Sequence, residues 1–356
     1  TTEDDIYKKV FNENFSFVRL KTKPKYTGTL GRFLNYWDYS KKASKYNDFK
    51  KKPDVVIASS VHPFAWIAGY NLSKKYGAKY IVEVRDLWPL SMYEDFTGIK
   101  RKIVFSFFES LERKYYRLAD AIVTTAPFAY EYIVDKYGID NDIIHYIPHG
   151  IDIEEFDKQN TDESIQIDKN LNNILENYFC ITYTGALSRS EGLHALVESA
   201  RYLKEFQNIK IVIVGAGSEK QLLDDLIKKD DLENVYMAGL QPKDHMAKIM
   251  NKSKILFVGL MEREVFKYGI SKNKFYEYMA AERPIIFASN VRGSLITQAN
   301  CGITIEPHNP KLLSDTIKYI HDNYETKGKE YALNGRQFVK DQHTNDIISQ
   351  KFLNII

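Results

Sequence analysis

Along the chain, short apolar runs alternate with longer stretches in which apolar positions recur every three or four residues. The runs at 15–20, 54–58, 79–84, 121–125 and 144–147 are rich in β-branched residues. A second set follows at 179–184, 209–214, 234–238, 255–258, 284–288 and 302–305. They show little polar alternation, the pattern of strands buried on both faces. Helical periodicity fills the intervals, as at 64–75, 101–118, 193–206, 219–229 and 311–322. Strand–helix alternation of this kind predicts parallel sheets with right-handed crossovers.

The polar stretch at 157–177 has no clear period and reads as a linker or surface insertion. The division predicted from it is a first domain over 1–155 and a second over 170–341. A last helix at 342–356 is expected to return to the first domain. Two doubly wound α/β domains joined in this way face each other across a cleft at the carboxyl ends of their strands, where open α/β folds bind ligands. The chain opens on Thr1-Thr2-Glu3-Asp4-Asp5 without an apolar first strand or its glycine turn. A first strand is therefore expected to be missing.

Composition changes this picture little. Apolar residues make up 44% and charged residues 27% of 356, an ordinary globular balance. The formal charge of +3 is too small to argue for nucleic acid. Cys180 and Cys301 lie in apolar runs and read as buried free thiols, which suits a reducing compartment. The eight histidines do not cluster at metal-ligand spacing, so no metal is expected. No apolar run approaches the roughly 18 residues of a membrane span. Lys21, Lys23 and Lys25 before Tyr26, the Lys50-Lys51-Lys52 run, and Phe105-Ser106-Phe107-Phe108 near Arg113 and Lys114 could instead attach the protein to an anionic leaflet. A solvated face beside a core stripe accounts for the same residues.

The strongest chemical signal is Gly269-Ile270-Ser271-Lys272-Asn273-Lys274-Phe275-Tyr276-Glu277, which reads as a loop opening a helix. Ser271 or Asn273 can cap that helix. A helix amino end with a lysine beside it is an anion site. Glu277, one turn further, could accept both hydroxyls of a ribose. The plain alternative is a capped helix with a Lys274–Glu277 surface pair. A second signal is Tyr183-Thr184-Gly185 with Arg189 and Gly192-Leu193, a strand ending in a glycine turn, where Arg189 could clamp a diphosphate. Gly215-Ala216-Gly217 lacks the third glycine of a dinucleotide fingerprint and reads first as a packing turn. The Gly239-Leu240-Gln241 loop could cover a base. In the first half, Ser59–Trp66 carries His62 and Glu83–Pro89 carries Arg85 and Asp86 at strand ends, groups suited to a sugar acceptor or a developing oxocarbenium ion. Core packing is the ordinary explanation of Trp88.

Taken in order, Ile147-Pro148-His149-Gly150-Ile151-Asp152, Tyr183-Thr184-Gly185 with Arg189 and Gly192-Leu193, Val214-Gly215-Ala216-Gly217 and the 271–284 segment resemble family-four retaining glycosyltransferases of GT-B fold. Arg85-Asp86-Leu87-Trp88-Pro89 and Gly269-Ile270-Ser271 with Asn273-Lys274 resemble a bacterial branch, the N-acetyl-L-fucosamine transferases of O-antigen and capsule synthesis. The resemblance runs from about Pro24 to the carboxyl terminus. It implies two Rossmann-like domains and metal-independent transfer, with retained configuration, from a nucleotide-sugar donor, a UDP-linked N-acetylamino sugar. No cofactor is implied.

By that resemblance Glu277 binds the donor ribose, and Arg189, Lys274 and the helix start at Ser271 and Asn273 neutralise the diphosphate. Gly269 and Ile270 place backbone groups near the sugar, with Gly185 and Gly215 nearby, and Leu240 and Gln241 hold the base. Glu191 stands where many members carry lysine, leaving Arg189 with more of the phosphate charge. Arg85, Asp86 or His62 takes the place of a histidine near the donor sugar. The implied acceptor is a polyprenyl-diphosphate-linked saccharide, and the implied location is cytoplasmic, at the inner face of the membrane. Other readings are a nucleotide-sugar epimerase of the same fold, a non-catalytic nucleotide-sugar-binding partner, and a dinucleotide oxidoreductase.

Overall fold

A computed structural model describes residues 6–10, 15–23, 28–60 and 62–356. The chain forms two compact units, the first ending at Pro148 and the second comprising His149–Gln350, with Lys351–Ile356 grouped with the first. In the first unit, β1 (Ile6–Val10) and β2 (Ser16–Leu20) pair antiparallel, with Ile6 opposite Leu20. The run at 15–20 was expected to join a parallel sheet. Only residues 11–15 separate the two strands, far short of the crossover that a parallel pair needs.

There follow α1 (Gly28–Lys45), β3 (Val55–Ser60), α2 (Phe64–Tyr76), β4 (Lys79–Val84), α3 (Gly98–Leu118), β5 (Ala121–Thr124), α4 (Ala129–Tyr137) and β6 (Ile144–Tyr146). The strands β3-β4-β5-β6 form a parallel sheet in chain order. Ile81, Val82, Ile122 and Val123 are wholly buried within it, as strands covered on both faces must be. Gly69 of α2 packs so closely on β3 that a Cβ there would lie 2.5 Å from that of Ala58.

One charged residue sits in this core. Glu112 of α3 is fully buried, and its carboxyl accepts hydrogen bonds from the hydroxyls of Tyr116 (2.9 Å), Tyr132 (3.0 Å) and Tyr137. Burial pushes its pKa up to about 8, against the opposing effects of those hydroxyls and Lys136.

The second unit contains α5 (Ile153–Thr161), α6 (Lys169–Asn177), β7 (Phe179–Thr184), α7 (Leu193–Ser199), β8 (Ile209–Val214), α8 (Lys220–Lys229), β9 (Val235–Gly239), α9 (Met246–Lys252), β10 (Ile255–Gly259), α10 (Asn273–Ala280), β11 (Ile285–Ala288), α11 (Leu295–Gln298), β12 (Gly302–Ile305), α12 (Pro310–Asp322) and α13 (Lys329–Gln342). Its six strands are parallel, in the order β12-β11-β10-β7-β8-β9. Alternate residues of β10 serve opposite faces. Ile255 and Phe257 join the core that includes Leu196 of α7 and Ile317 of α12, whereas Leu256 and Val258 join the core that includes Phe275 and Met279 of α10.

The stretch at 157–177 is largely helical and lies within the second unit. Asp152 caps α5 by accepting from the Glu155 amide at 2.9 Å, and Asp168 caps α6 by accepting from the amides of Asn170 and Leu171. Leu171 and Leu175, one turn apart, are buried beside Cys180. That spacing is the helical signal which the many polar residues around it obscure. The last helix, α14 (Asn345–Leu353), begins in the second unit, where Thr344 bridges Ile151 and a Cβ at Gly150 would stand 2.9 Å from Ile348. Only its end groups with the first unit, where Lys79 Nζ donates to the Ile355 carbonyl at 2.6 Å. Both cysteines are buried and unpaired with each other, and burial pushes each thiol up to about 12.

Candidate functional site

In the second sheet the chain runs outward through β7, β8 and β9, then returns to place β10 on the other side of β7. The strand order therefore reverses between β7 and β10, and the loops leaving their carboxyl ends diverge there. A reversal of this kind opens a ligand crevice in doubly wound sheets. The loop after β7 carries Gly185, Arg189 and Glu191. The loop after β10 carries Gly269, Ile270, Ser271 and Lys272 and leads into α10. The two are tied together by the Met261 amide, which donates to the Ser190 carbonyl at 3.0 Å, and by the Tyr278 hydroxyl, which accepts from the Thr184 amide at 2.9 Å.

Three charges meet where these loops converge. The Glu191 carboxylate bridges Lys272 Nζ at 2.7 Å and Lys274 Nζ at 3.1 Å. The ammonium of Lys274 also lies over the Tyr183 ring, 3.9 Å from its centroid, a cation–π contact. Burial lowers the Lys274 pKa to about 8, although Glu191 works in the opposite direction. Burial would raise the Glu191 pKa, but the two lysines outweigh it and the net shift is downward. The arrangement is thus a largely desolvated cation pair that one carboxylate neutralises only in part.

The amino end of α10 contributes further. Lys272 occupies the cap position in extended conformation and no side chain caps the helix. Neither Ser271 nor Asn273 is therefore the cap; Asn273 is the exposed first helical residue. Helix amides at this end carry partial positive charge. Ser271 Oγ is buried among these groups without a hydrogen-bond partner. Glu277 is half-buried one turn on. Burial raises its pKa, with Lys243 and Lys274 opposing. Lys274 makes its ion pair with Glu191, so the simple Lys274–Glu277 surface pair is not what forms.

The glycines have separate explanations. Gly185 (φ +141°) makes room for Lys274, since a Cβ there would stand 2.9 Å from Nζ. Gly215 (φ +144°) lies against Gly185, and its Cβ would fall 1.8 Å from that carbonyl oxygen. This is the close packing turn expected of a lone glycine pair. Gly269, at φ +83°, ends a 3-10 turn over Glu264–Tyr268, and Ile270 packs beneath it on the α10 core. Arg189 is exposed and makes no ion pair among the described residues. Leu240 is 78% exposed, and Gln241 Nε2 braces its own loop by donating to Ala238 O at 2.9 Å.

In the first unit, His62, Arg85 and Asp86 follow the carboxyl ends of the adjacent strands β3 and β4, and the Arg85 amide donates to Ser60 Oγ at 3.3 Å. Arg85 and Asp86 are exposed. His62 is stacked on Tyr36 at 4.0 Å and edge-on to Tyr39 at 5.5 Å. Burial lowers its pKa to about 4, so the imidazole is neutral near pH 7. Trp88 packs on Phe108, as core residues do.

Sequence reasoning missed Glu191 as a partner of the lysines, Lys272 as the second cation and Tyr183 as the platform. Glu191 and Lys272 are 81 positions apart. Only the reversal of strand order brings them together.

Residues 164–338 match the family model described as Glycosyl transferases group 1, and residues 6–155 match Glycosyltransferase Family 4. An uncharacterised glycosyltransferase of Methanocaldococcus jannaschii is 26% identical over 197 residues, 53% of this chain and 46% of that protein. The capsular polysaccharide biosynthesis glycosyltransferase CapM of Staphylococcus aureus is 24% identical over 204 residues, 56% of this chain and 50% of CapM. The chain thus spans about half the length of these relatives. Among solved structures, Anabaena HepE in complex with UDP superposes with a TM-score of 0.66 at 14% identity, covering 91% of this chain and 82% of HepE. At that identity the likeness speaks for the fold, and the solved neighbours are GT-B glycosyltransferases.

Proposed function

We propose that this chain, which belongs to the group 1 glycosyltransferase family, moves a sugar from a uridine diphosphate donor to a growing surface polysaccharide. The observation that carries the reading is the convergence of Lys272 and Lys274 at the uncapped amino end of α10, where the strand order reverses. Two ammonium groups and a helix end provide the charge that a leaving diphosphate needs. The UDP bound by the structural neighbour HepE and the capsular role of CapM point the same way.

In this reading Arg189, Lys274 and the α10 amides at Asn273 hold the diphosphate, with Ser271 Oγ free to donate to it. Glu277 accepts from the ribose hydroxyls. The Leu240–Gln241 loop covers the base, and Gly185, Gly215, Gly269 and Ile270 keep the backbone close to donor phosphates and sugar. The glycosidic C–O bond to the diphosphate breaks and the acceptor hydroxyl bonds on the same face, so configuration is retained. The leaving phosphate oxygen takes the acceptor proton. No enzymic nucleophile is needed, and the charge is met without a metal ion. Arg85 and Asp86 of the first unit serve the acceptor, with His62 as a neutral neighbour. The donor sugar is an N-acetylamino sugar, as in the N-acetyl-L-fucosamine transferase branch.

The acceptor is a polyprenyl-diphosphate-linked saccharide, used at the inner face of the cell membrane. Among the described residues no helix is long and apolar enough to cross a membrane. Instead, Ile99, Ile103 and Phe107 project from α3 at four-residue intervals, 76%, 66% and 48% exposed, with Lys100, Arg101 and Lys102 beside them. That is the pattern of a surface-seated amphipathic helix. Phe108 takes no part, being fully buried in the core, and Lys25 and Tyr26 lie outside the described residues.

Transfer assayed with UDP-sugars and a lipid-linked acceptor should fall at least tenfold for both Arg189→Ala and Glu277→Ala and persist in EDTA. Wild-type rates in both variants would refute the site assignment. Product analysis without acceptor separates transfer from epimerisation.

A further inference from the structure

The Glu191 carboxylate sits between the two cations that the proposed donor diphosphate needs. The side chains of Lys272, Lys274 and Glu191 are only 23%, 14% and 13% exposed, so the ion pairs are sheltered from solvent. Such a cluster is not an idle surface contact, which water and salt would weaken. The backbone of Glu191 is fixed. Its amide donates to Ser188 O at 3.0 Å, and its carbonyl lies so near Gly259 that a Cβ there would come within 2.5 Å. Lys274 packs against Gly185, where a Cβ would stand 2.9 Å from Nζ, so only glycine leaves the ammonium room at this point.

We propose that Glu191 is an internal stand-in for the donor's diphosphate. Its carboxylate holds the Lys272 and Lys274 ammonium groups in the free protein and yields them when a nucleoside diphosphate enters. This inference rests on the reading of the α10 amino end as the diphosphate seat. Without an anion, two ammonium groups converging on one poorly hydrated point would repel each other and lose alignment. With the carboxylate present the cations are pre-aligned, and part of the affinity for any incoming anion is spent on displacing it. The same competition helps the product nucleoside diphosphate to leave, because the carboxylate returns as it departs.

The test titrates wild type, Glu191→Gln, Glu191→Ala and Lys272→Ala with inorganic pyrophosphate, UDP and uridine by calorimetry at low ionic strength. Glu191→Gln should bind pyrophosphate and UDP at least tenfold more tightly than wild type, with uridine affinity unchanged. Glu191→Ala, which removes the charge and shortens the chain, should shift both diphosphates in the same direction. If Lys272→Ala weakens diphosphate binding while Glu191→Gln also weakens it or leaves it unchanged, the stand-in is wrong and the seat stands. If pyrophosphate and UDP bind none of the proteins, or bind all alike, the seat itself is wrong and the inference falls with it.

Discussion

The most quantitative prediction concerns Glu112, whose carboxyl is fully buried under three tyrosine hydroxyls. Its pKa is about 8 in the folded protein, against an ordinary value of 4.5. Between those values the folded state keeps a proton that the unfolded chain releases. The unfolded state therefore binds fewer protons, and stability falls as pH rises. The contribution is fully present below about pH 4.5 and is lost progressively until about pH 8. The slope is about 1.4 kcal/mol per pH unit, or roughly 3 kcal/mol from Glu112 between pH 5.5 and 7.5. At ordinary urea sensitivities of about 1–3 kcal/mol per M, the Glu112 contribution lowers the midpoint by roughly 1–3 M over that interval.

The assay is built into the chain. Its three tryptophans, Trp37, Trp66 and Trp88, all lie in the first unit, and Trp66 is 5.3 Å from the Tyr116 ring. Tryptophan fluorescence in urea therefore follows the unit that contains Glu112. Glu112→Gln keeps the shape and cannot ionise, so its midpoint should lack this decline, while the rise that buried His62 brings up to about pH 6.5 is common to both proteins and the gap between them narrows with pH. Equal slopes in the two proteins would refute the reasoning.

Other outcomes follow from the site and the packing. UDP affinity should decline as pH rises through about 8, where Lys274 loses its proton, by an amount on the order of one charged hydrogen bond, about 1.5–3 kcal/mol; calorimetry at pH 7 and 9.5 reads this, and a flat profile speaks against Lys274 as a phosphate ligand. Gly215→Ala drives a Cβ into the Gly185 carbonyl at a backbone angle that side chains rarely adopt, so thermal denaturation should show a large loss of stability, about 3 kcal/mol or more, or no folded second unit. Replacing both Ile99 and Ile103 by Glu should leave thermal stability nearly unchanged, since both side chains are exposed, while abolishing flotation with anionic vesicles; undiminished flotation removes α3 from the membrane reading.

How far the sequence alone reached depends on which interactions are local. The strands at 79–84, 179–184, 209–214 and 302–305 are observed with the ends that periodicity predicts, because unbroken β-branched runs need only a neighbour on each side to be buried. The loops carrying Arg189 and Ser271, and the helix start carrying Lys274, were visible as glycine-bearing turns at strand ends. The helices α5 and α6 were not visible, since two buried leucines carry α6 among many polar residues. The antiparallel pairing of β1 with β2 follows from the shortness of their connection rather than from the composition of either strand.

Which side chains would face one another was settled only in three dimensions. Glu191 reads in the chain as a glutamate beside a glycine, and Lys272 as one lysine among many. The placement of β10 beside β7 makes them a sheltered ion pair and leaves Lys274 desolvated over Tyr183. Likewise Glu112 looks like an ordinary helical glutamate until α3 is laid against Tyr132 and Tyr137 of α4. Sequence pattern records what each segment must bury or expose. It does not record which distant charges will share the same few ångströms, and charge strength depends on that shared, poorly hydrated space.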